Sequence, residues 1–311
     1  MSDTPTTADL IAAVQAAINA DPTLSQASVA AALDYSPAVL GQWLKGIYKG
    51  DNAAVTTAVT QWLALRAAGD AVARVMPDDL PWYSTETAER IWTRLRLAHH
   101  APDICVIDGA AGVGKTYTAR HYAASYPGVW LATMSPDCAG VATALEEISD
   151  AMGLDVQGGA AAHRRAILKR IKAAGGAALL VIDEAQHLGT AALDEVRTLH
   201  DRAGCGLAYL GNEGIWSQLV GGGRRGIALD RLHSRVGARA HCQGATTKDV
   251  QALLGAWGIT DRGARSVVSE IARRPGALRA ATKTIRSAHL YAQSAAITAE
   301  HLRAARVGRG L

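Results

Sequence analysis

A glycine-rich run directly after a short apolar stretch decides which folds are open to this chain. The stretch Ile104–Asp108 has the composition of a buried strand, and the run Gly109-Ala-Ala-Gly-Val-Gly-Lys-Thr116 follows it at once. A helix is predicted from Lys115 to about Tyr126. The pattern G-x-x-x-x-G-K-S/T between a strand and a helix is typical of loops that bind phosphate groups. The chain is therefore predicted to contain an α/β domain with a nucleotide-binding loop.

The residue types of this run suit the triphosphate of ATP. Glycine lets the backbone curl so that its N–H groups point at phosphate oxygens, and the helix that follows adds the positive end of its dipole. Lys115 is expected to reach the β- and γ-phosphates, and the Thr116 hydroxyl is expected to bind Mg²⁺. The predicted nucleotide-binding residues of the run are Gly109, Ala110, Ala111, Gly112, Val113, Gly114, Lys115, Thr116 and Tyr117.

Further apolar runs predict a parallel sheet covered by helices. Val129–Met134, Ala178–Asp183 and Leu207–Leu210 are predicted strands, and Ala238–Gln243 is a candidate for another. Helical patterns separate these runs, which favours parallel pairing. The sheet should therefore place its functional loops together at the carboxyl ends of its strands.

Two acidic residues end one of these strands. Asp183 is predicted to hold the Mg²⁺ ion, and Glu184 is predicted to polarise the attacking water as a general base. The alternative is a solvated acidic turn. The upstream glycine-rich run favours the first interpretation, because parallel strands bring their carboxyl ends to the same edge of the sheet.

The N-terminal region predicts two short helices with a tight turn. Ser25 is expected to cap a helix over Gln26–Leu33. Ser36 followed by Pro37 is typical of the start of a second helix, and Gly46 can end it. Together they predict a helix-turn-helix module.

In such a module the second helix would enter the major groove of DNA. Ser36, Ala38 and Gln42 would then face bases, with Lys45 and Lys49 near phosphates. The first 67 residues carry a net charge of −2, however, whereas DNA-binding modules are usually basic. A small helical bundle for protein contact is therefore the alternative.

Composition and charge limit the other possibilities. With 49% hydrophobic residues the chain can bury a large core, but no apolar run approaches the roughly 20 residues of a membrane span. The N-terminus lacks the pattern of a signal peptide. Four scattered cysteines argue against disulfides or a metal site. We therefore expect a cytoplasmic protein with no membrane partner.

Four regions are expected along the chain. They are a helical module over 1–67, a linker rich in Gly, Pro and Asp over 68–82, the α/β domain over 83–245 and a helical part over 246–311. The last region has a net charge of +7, and the rest of the chain has −3. The basic C-terminal region makes a polyanion a plausible partner.

The run Asp183-Glu-Ala-Gln-His187 resembles the Walker B continuation of a AAA+ subgroup that includes transposition ATPases and some secretion ATPases. The resemblance implies that Asn212 is sensor 1 and that Arg279 is sensor 2 at the γ-phosphate. It also implies an arginine finger, for which Arg235 is the first choice and Arg231 the second. A finger from a neighbouring subunit would complete the site only on assembly. The predicted catalytic residues are then Lys115, Glu184, Asn212 and Arg235.

The segment Trp43–Asp51 resembles the corresponding segment of MuB-like target-capture ATPases of phage Mu-type transposition. The order of modules is similar over nearly the whole chain. The expected fold is an α/β P-loop AAA+ parallel sheet with a helical lid, preceded by an all-α helix-turn-helix module. The resemblance implies an ATP- and Mg²⁺-dependent protein that binds double-stranded DNA with little sequence preference. It also implies helical filaments, a DNA transposase as partner and the bacterial host cytoplasm as location.

Non-specific DNA binding needs only contacts to phosphates. Candidates are Arg164 and Arg165 on the helix before the Walker B strand, and Arg224 and Arg225 in a glycine-rich loop. A basic helical face is more often simply solvated.

Three alternatives remain for function. The first is a secretion-associated or helicase-loading ATPase, although secretion types are expected to carry a membrane or wall-binding segment. The second is a helix-turn-helix transcription regulator with a nucleotide-sensing P-loop domain, which would need a specific operator. The third is a non-hydrolysing scaffold, and the pair Asp183 and Glu184 argues against it.

Overall fold

The computed structural model of the chain describes residues 6–77, 80–175, 177–220, 235–293 and 296–310. The chain divides into two compact units, Met1–Pro77 and Asp78–Leu311. Within the described ranges, no helix combines the length and the apolar character that crossing a membrane requires.

Over residues 6–77 the N-terminal unit contains the helices α1 (Thr7–Ala20), α2 (Gln26–Ala32), α3 (Pro37–Leu44) and α4 (Asn52–Val75). Each packs apolar side chains into a common core, whose buried members include Leu10, Val14, Val29, Leu40, Trp43, Val55 and Val59.

The two predicted helix starts of this unit are confirmed. The Ser25 hydroxyl accepts a hydrogen bond from the Ser28 N–H at 3.1 Å, and the Ser36 hydroxyl accepts one from the Val39 N–H at 3.3 Å. The side-chain oxygens therefore satisfy amide groups that have no partner within the first helical turn. The role of α2 and α3 as a DNA-binding helix-turn-helix stays a prediction.

Helix α4 differs from the expected boundary. The linker was predicted from residue 68, but α4 continues through Gly69 and Asp70 to Val75. One glycine costs a helix only about 1 kcal/mol relative to alanine, and alanine-rich sequence on both sides compensates for it. Pro77 lies two residues after the end of α4, and a proline ring is incompatible with a helix interior.

The second unit is built on a five-stranded parallel sheet with the order β2-β3-β4-β1-β5. Every neighbouring pair of strands is parallel. The strands are β1 (Ile104–Gly109), β2 (Val129–Thr133), β3 (Leu179–Asp183), β4 (Gly206–Gly211) and β5 (Val236–Cys242). All five predicted strands are therefore present. β1 lies between β4 and the edge strand β5, so the glycine-rich loop that follows it lies at the carboxyl edge of the sheet, between the ends of these two strands.

Helices cover both faces of this sheet. Alternate strand residues contribute to two separate cores, as the side-chain period of two requires. One face is covered by α5 (Glu86–His100) and α6 (Lys115–Ser125). The other is covered by α7 (Val141–Ala151), α8 (Ala160–Ala173), α9 (Thr190–Ala203) and α10 (Glu213–Val220), with 3₁₀ turns at Pro136–Ala139 and Ala185–His187.

Four helices after the sheet form a lid with its own apolar core. They are α11 (Thr247–Ala256), α12 (Arg262–Ala272), α13 (Ala277–Ala292) and α14 (Ala299–Gly308). Asp249 of the lid is fully buried. Its carboxylate accepts hydrogen bonds from the Thr87 N–H at 2.8 Å and the Thr87 hydroxyl at 2.6 Å. This contact connects the lid to the start of α5.

The four cysteines are buried within the second unit. Burial raises the pKa of Cys105 to about 12 and that of Cys205 to about 11. Because a thiol reacts as its thiolate, these two side chains behave as small apolar core residues.

Candidate functional site

The loop between β1 and α6 has three glycines in the left-handed region of backbone space. The φ angles are +135° at Gly109, +82° at Gly112 and +100° at Gly114. A Cβ at Gly109 would lie 2.1 Å from the carbonyl oxygen of Cys242. The predicted strand, loop and helix are confirmed, and backbone packing excludes a side chain at Gly109.

Lys115 begins α6 and points back across the loop. Its Nζ donates hydrogen bonds to the carbonyl oxygens of Gly109 and Ala110, both at 2.8 Å. Burial lowers the pKa of Lys115, although the nearby carboxylates of Asp183 and Glu184 oppose this effect. The ammonium group is therefore held at the centre of the loop, among carbonyl groups and close to two acids.

Asp183 ends β3 beneath this loop and is 1% exposed. Its Oδ1 accepts a hydrogen bond from the Glu184 N–H at 3.0 Å. Its Oδ2 is buried and has no hydrogen-bond partner among the residues that the structure describes. Burial raises the pKa of Asp183, and this outweighs the opposing effect of the nearby Thr116 hydroxyl. A buried carboxylate oxygen without a partner, beside a hydroxyl, is a donor set that suits Mg²⁺.

Glu184 follows in the left-handed conformation, with φ at +53°. Such a conformation is uncommon for a residue with a side chain and costs free energy, so it persists only where the surroundings impose it. One carboxylate oxygen of Glu184 accepts a hydrogen bond from the Gln186 side chain at 2.6 Å. Glu184 and Asn212 both line the cavity above the loop. The structure therefore brings together the predicted base and the predicted sensor 1.

The lid closes this cavity from the other side. The backbone N–H of Arg279, at the start of α13, donates a hydrogen bond to the Gly112 carbonyl oxygen at 3.1 Å. Arg279, Lys283 and Arg286 follow each other along α13 and all line the cavity, which has a volume of about 520 Å³. The lid thus presents three basic residues to a space bounded by the phosphate-binding loop.

Aromatic side chains form the remaining wall of the cavity. They belong to Trp82, Tyr83, Tyr117 and Trp257. The ring of Trp82 stacks on His121 at 4.1 Å between centroids with a 9° interplanar angle. Sequence patterns do not predict this wall, because its members are far apart in the chain and Trp82 falls in the expected linker. The only local signal is the pair Trp82-Tyr83 just before the α/β domain.

Of the nine nucleotide-binding residues predicted in the run Gly109–Tyr117, eight line the cavity and Ala110 supports it. The Ala110 N–H donates to the Cys242 carbonyl oxygen at 2.8 Å. The lining residues from that prediction are Gly109, Ala111, Gly112, Val113, Gly114, Lys115, Thr116 and Tyr117, and Arg279 joins them from the lid.

The predicted arginine finger lies elsewhere in the same subunit. Arg235 donates a hydrogen bond to the Asp201 carboxylate at 2.5 Å, and its side chain is 54% exposed. It is not one of the cavity-lining residues in the described part of the chain. The second choice, Arg231, lies outside the described residues.

The predicted DNA contacts fall into three groups. Ser36, Gln42, Lys45 and Lys49 of the N-terminal unit are all exposed. Arg164 forms a two-bond ion pair with Glu195 of α9, so its guanidinium is already engaged, whereas Arg165 is exposed. Arg224 and Arg225 lie outside the described residues.

A cluster of polar and charged side chains beside the loop matches no sequence motif. The fully buried carboxylate of Asp108, the last residue before Gly109, accepts two hydrogen bonds from Arg239 at 2.7 and 2.8 Å and one from His241 at 2.7 Å. Burial alone would raise the pKa of Asp108, but the two partners lower it overall. The Arg239 guanidinium also stacks 3.9 Å above the Trp216 ring. These contacts fasten the edge strand β5 to the strand that carries the loop.

Comparisons with known proteins cover both halves of this unit. The model of the AAA domain matches residues 98–219, and that of the Mu B transposition protein, C terminal, matches residues 234–307. The ATP-dependent target DNA activators B of Escherichia phages D108 and Mu are each 33% identical over 275 residues, which are 88% of this chain and 85% of each relative. Among solved structures, NtrX from Brucella abortus in complex with ATP is similar, with a TM-score of 0.48 and 16% identity, over 84% of this chain and 64% of NtrX.

The sheet with its nucleotide-type loop is the part that matches the AAA domain, and the lid with β5 is the part that matches the Mu B C-terminal model. The phage relatives extend over most of the chain and most of their own length. The chain therefore belongs to the MuB family of AAA+ proteins.

Proposed function

We propose that this chain is an ATPase that binds target DNA in an ATP-dependent manner and delivers it to a DNA transposase. The observation that carries the proposal is the convergence of the phosphate-binding loop, Glu184, Asn212 and Arg279 on one cavity. Membership of the MuB family supports it, because the phage Mu and D108 relatives are named ATP-dependent target DNA activators.

ATP fits the cavity by the chemistry of its walls. Backbone N–H groups of the loop and the start of α6 suit phosphate oxygens, and Lys115 with Arg279 adds positive charge. Trp82, Tyr83 and Trp257 offer flat apolar faces that suit a purine base. A cavity of about 520 Å³ lies within the usual range for small-molecule sites.

Mg²⁺ would be held by Thr116 and Asp183. The unpartnered Oδ2 of Asp183 and the neighbouring hydroxyl fit such an ion. Its charge would neutralise phosphate oxygens during phosphoryl transfer.

Hydrolysis needs a water oxygen to attack the γ-phosphorus while the bond to the β,γ-bridging oxygen breaks. Glu184 takes the proton from that water as general base. Asn212 donates a hydrogen bond that places the water, and Lys115 offsets the negative charge that builds up on the phosphate oxygens. The products are ADP and inorganic phosphate.

Arg235 would complete the site of an adjacent subunit. A cation supplied in this way stabilises charge in the transition state. A nucleotide bound by two subunits also stabilises their contact by mass action. ATP would therefore promote assembly of the chain with itself, as a helical filament on DNA, and hydrolysis would reverse it.

Double-stranded DNA would be bound mainly through its phosphates. The lid region is strongly basic, with a net charge of +7 over residues 246–311. In the N-terminal unit, Ser36 and Gln42 are candidates for base contacts, and Lys45 and Lys49 for phosphate contacts. We place this activity in the bacterial host cytoplasm, where the DNA and the transposase meet.

The Glu184→Gln variant tests the proposal. It keeps the size and shape of the side chain but cannot accept a proton from water. We expect it to bind ATP and DNA, to lose turnover, and to stay on DNA in the presence of ATP. Normal turnover in this variant would remove Glu184 as the base.

A further inference from the structure

Gln186 makes side-chain hydrogen bonds to two different parts of the site. Its Nε2 donates to the Glu184 Oε2 at 2.6 Å, and its Oε1 accepts the Asn212 N–H at 3.3 Å. Gln186 also lines the nucleotide cavity beside these two residues. One amide group therefore spans the gap between the end of β3 and the end of β4.

The surroundings leave Gln186 little freedom. A Cβ at Gly211 would lie 2.4 Å from the Gln186 Oε1, so a glycine at that position makes room for the amide. The Gln186 carbonyl oxygen accepts a hydrogen bond from the Gln218 side chain of α10 at 3.1 Å. The helix α10 begins directly after Asn212. Gln186 is therefore hydrogen-bonded at both ends of this helix, through its side chain to the Asn212 N–H and through its carbonyl oxygen to the Gln218 side chain.

We propose that Gln186 is a positioning residue that holds the Glu184 carboxylate at a fixed place relative to Asn212 and α10. This inference rests on the proposed function, in which Glu184 is the general base. It goes further by assigning a role to a side chain that touches the base and not the reacting atoms.

The physical reason lies in the backbone of Glu184. Glu184 lies in the left-handed conformation between the end of β3 and the 3₁₀ turn Ala185–His187, and its carboxylate accepts the hydrogen bond from the Gln186 amide. A hydrogen bond to a charged group is stronger than one between neutral groups, so this contact favours one orientation of the carboxylate. The same amide connects that orientation to α10. A shift of α10 would therefore move the base, and α10 leads in the sequence into residues 221–234, before Arg235.

Gln186→Met removes the contact to Glu184 without adding a charge to the cavity. The new side chain has nearly the same length, but it neither donates to the Glu184 carboxylate nor accepts the Asn212 N–H. We expect kcat for ATP hydrolysis to fall by about 10- to 100-fold, the range that the loss of a hydrogen bond to a charged group predicts. The KM for ATP should stay within about twofold, because no charge is added beside the phosphates. Gln251→Met, on the exposed side of α11, is the matched control and should leave both constants unchanged.

A double-mutant cycle separates positioning from a general effect on folding. In single-turnover hydrolysis, Gln186→Met should not lower the residual rate of the Glu184→Gln variant any further, because the carboxylate that Gln186 positions is already gone. A further loss by the same factor as in the wild type would overturn the proposal. So would an unchanged kcat, or a higher KM with kcat intact.

The cycle also distinguishes the proposed role of Glu184 as general base from the proposed positioning role of Gln186. An inactive Glu184→Gln variant with a fully active Gln186→Met variant would leave the proposed ATPase in place and overturn only the role of Gln186. Normal turnover in Glu184→Gln would remove the general base, and the positioning role would fall with it.

Discussion

The backbone N–H of Arg279 donates a hydrogen bond to the carbonyl oxygen of Gly112, so the lid touches the phosphate-binding loop directly. The contact is close, because a Cβ at Gly112 would lie 2.0 Å from the Gly276 carbonyl oxygen. We therefore expect the position of the lid to affect how the loop binds nucleotide.

Gly112→Ala tests this junction. The added methyl group would push the lid away from the loop, and the left-handed φ of +82° adds strain. Overpacking of this kind costs about 1–3 kcal/mol, and we expect ATP affinity to fall by roughly tenfold or more. Titration with a fluorescent ATP analogue measures the change. At Gly255 of α11 a Cβ would meet no described atom within 4 Å, so Gly255→Ala should bind ATP normally. Equal affinities of the two variants would contradict the role of the junction.

Lys115→Ala removes the cation at the centre of the loop. We expect ATP-dependent DNA binding to be abolished, because the β- and γ-phosphates lose their main charged contact. Filter binding of labelled duplex with and without ATP measures this. Unchanged ATP-dependent binding would show that the site assignment is wrong.

Arg235 is expected to act on the neighbouring subunit. Arg235→Ala should lower turnover in the assembled protein by on the order of 10³-fold, while ATP binding by the isolated subunit is unaffected. Arg202→Ala, an exposed arginine on the nearby α9, is the control and should remain active.

Mixing of variants shows whether the arginine acts between subunits. Arg235→Ala subunits keep the cavity residues, and Lys115→Ala subunits keep the arginine. A mixture of the two should recover part of the turnover that each lacks alone. A mixture as inactive as its components would indicate that Arg235 acts within its own subunit or is not the finger.

The buried Asp183 should lower stability at neutral pH. Because burial raises its pKa above the ordinary value of 3.8, the folded state prefers the protonated acid, and stability falls as the pH rises through that range. Asp183→Asn should therefore raise the Tm at pH 7 by about 2–4 °C for each kcal/mol gained, and the advantage should disappear towards pH 4. Thermal unfolding without nucleotide measures this. A lower Tm of the variant at pH 7 would contradict the account.

The sheet and its loop were predictable from local patterns. An apolar strand, glycines with a lysine and a helix are contiguous in the chain, so Gly109–Thr116 could be assigned without knowledge of tertiary structure. Asp183 and Glu184 followed from the rule that parallel strands place their carboxyl ends at one edge.

Contacts between distant segments were not predictable. The pairing of Arg164 with Glu195, of Arg235 with Asp201 and of Asp108 with Arg239 depends on how helices and strands pack. Each arginine has the same appearance in the sequence, whether it is engaged in an ion pair or exposed. The end of α4 at Val75 differs from the expected linker start at residue 68 for a different reason, because the alanines on both sides of Gly69 favour a helix.

ATP-dependent binding to random-sequence duplex tests the central claim most directly. Negative-stain electron microscopy of the full chain with such DNA, with and without ATP, should show filaments on the DNA only when ATP is present. Binding measured in parallel should weaken steeply with salt, as phosphate contacts require. Assemblies that form equally without ATP, or tight ATP-independent binding to one palindrome and none to random duplex, would contradict the account.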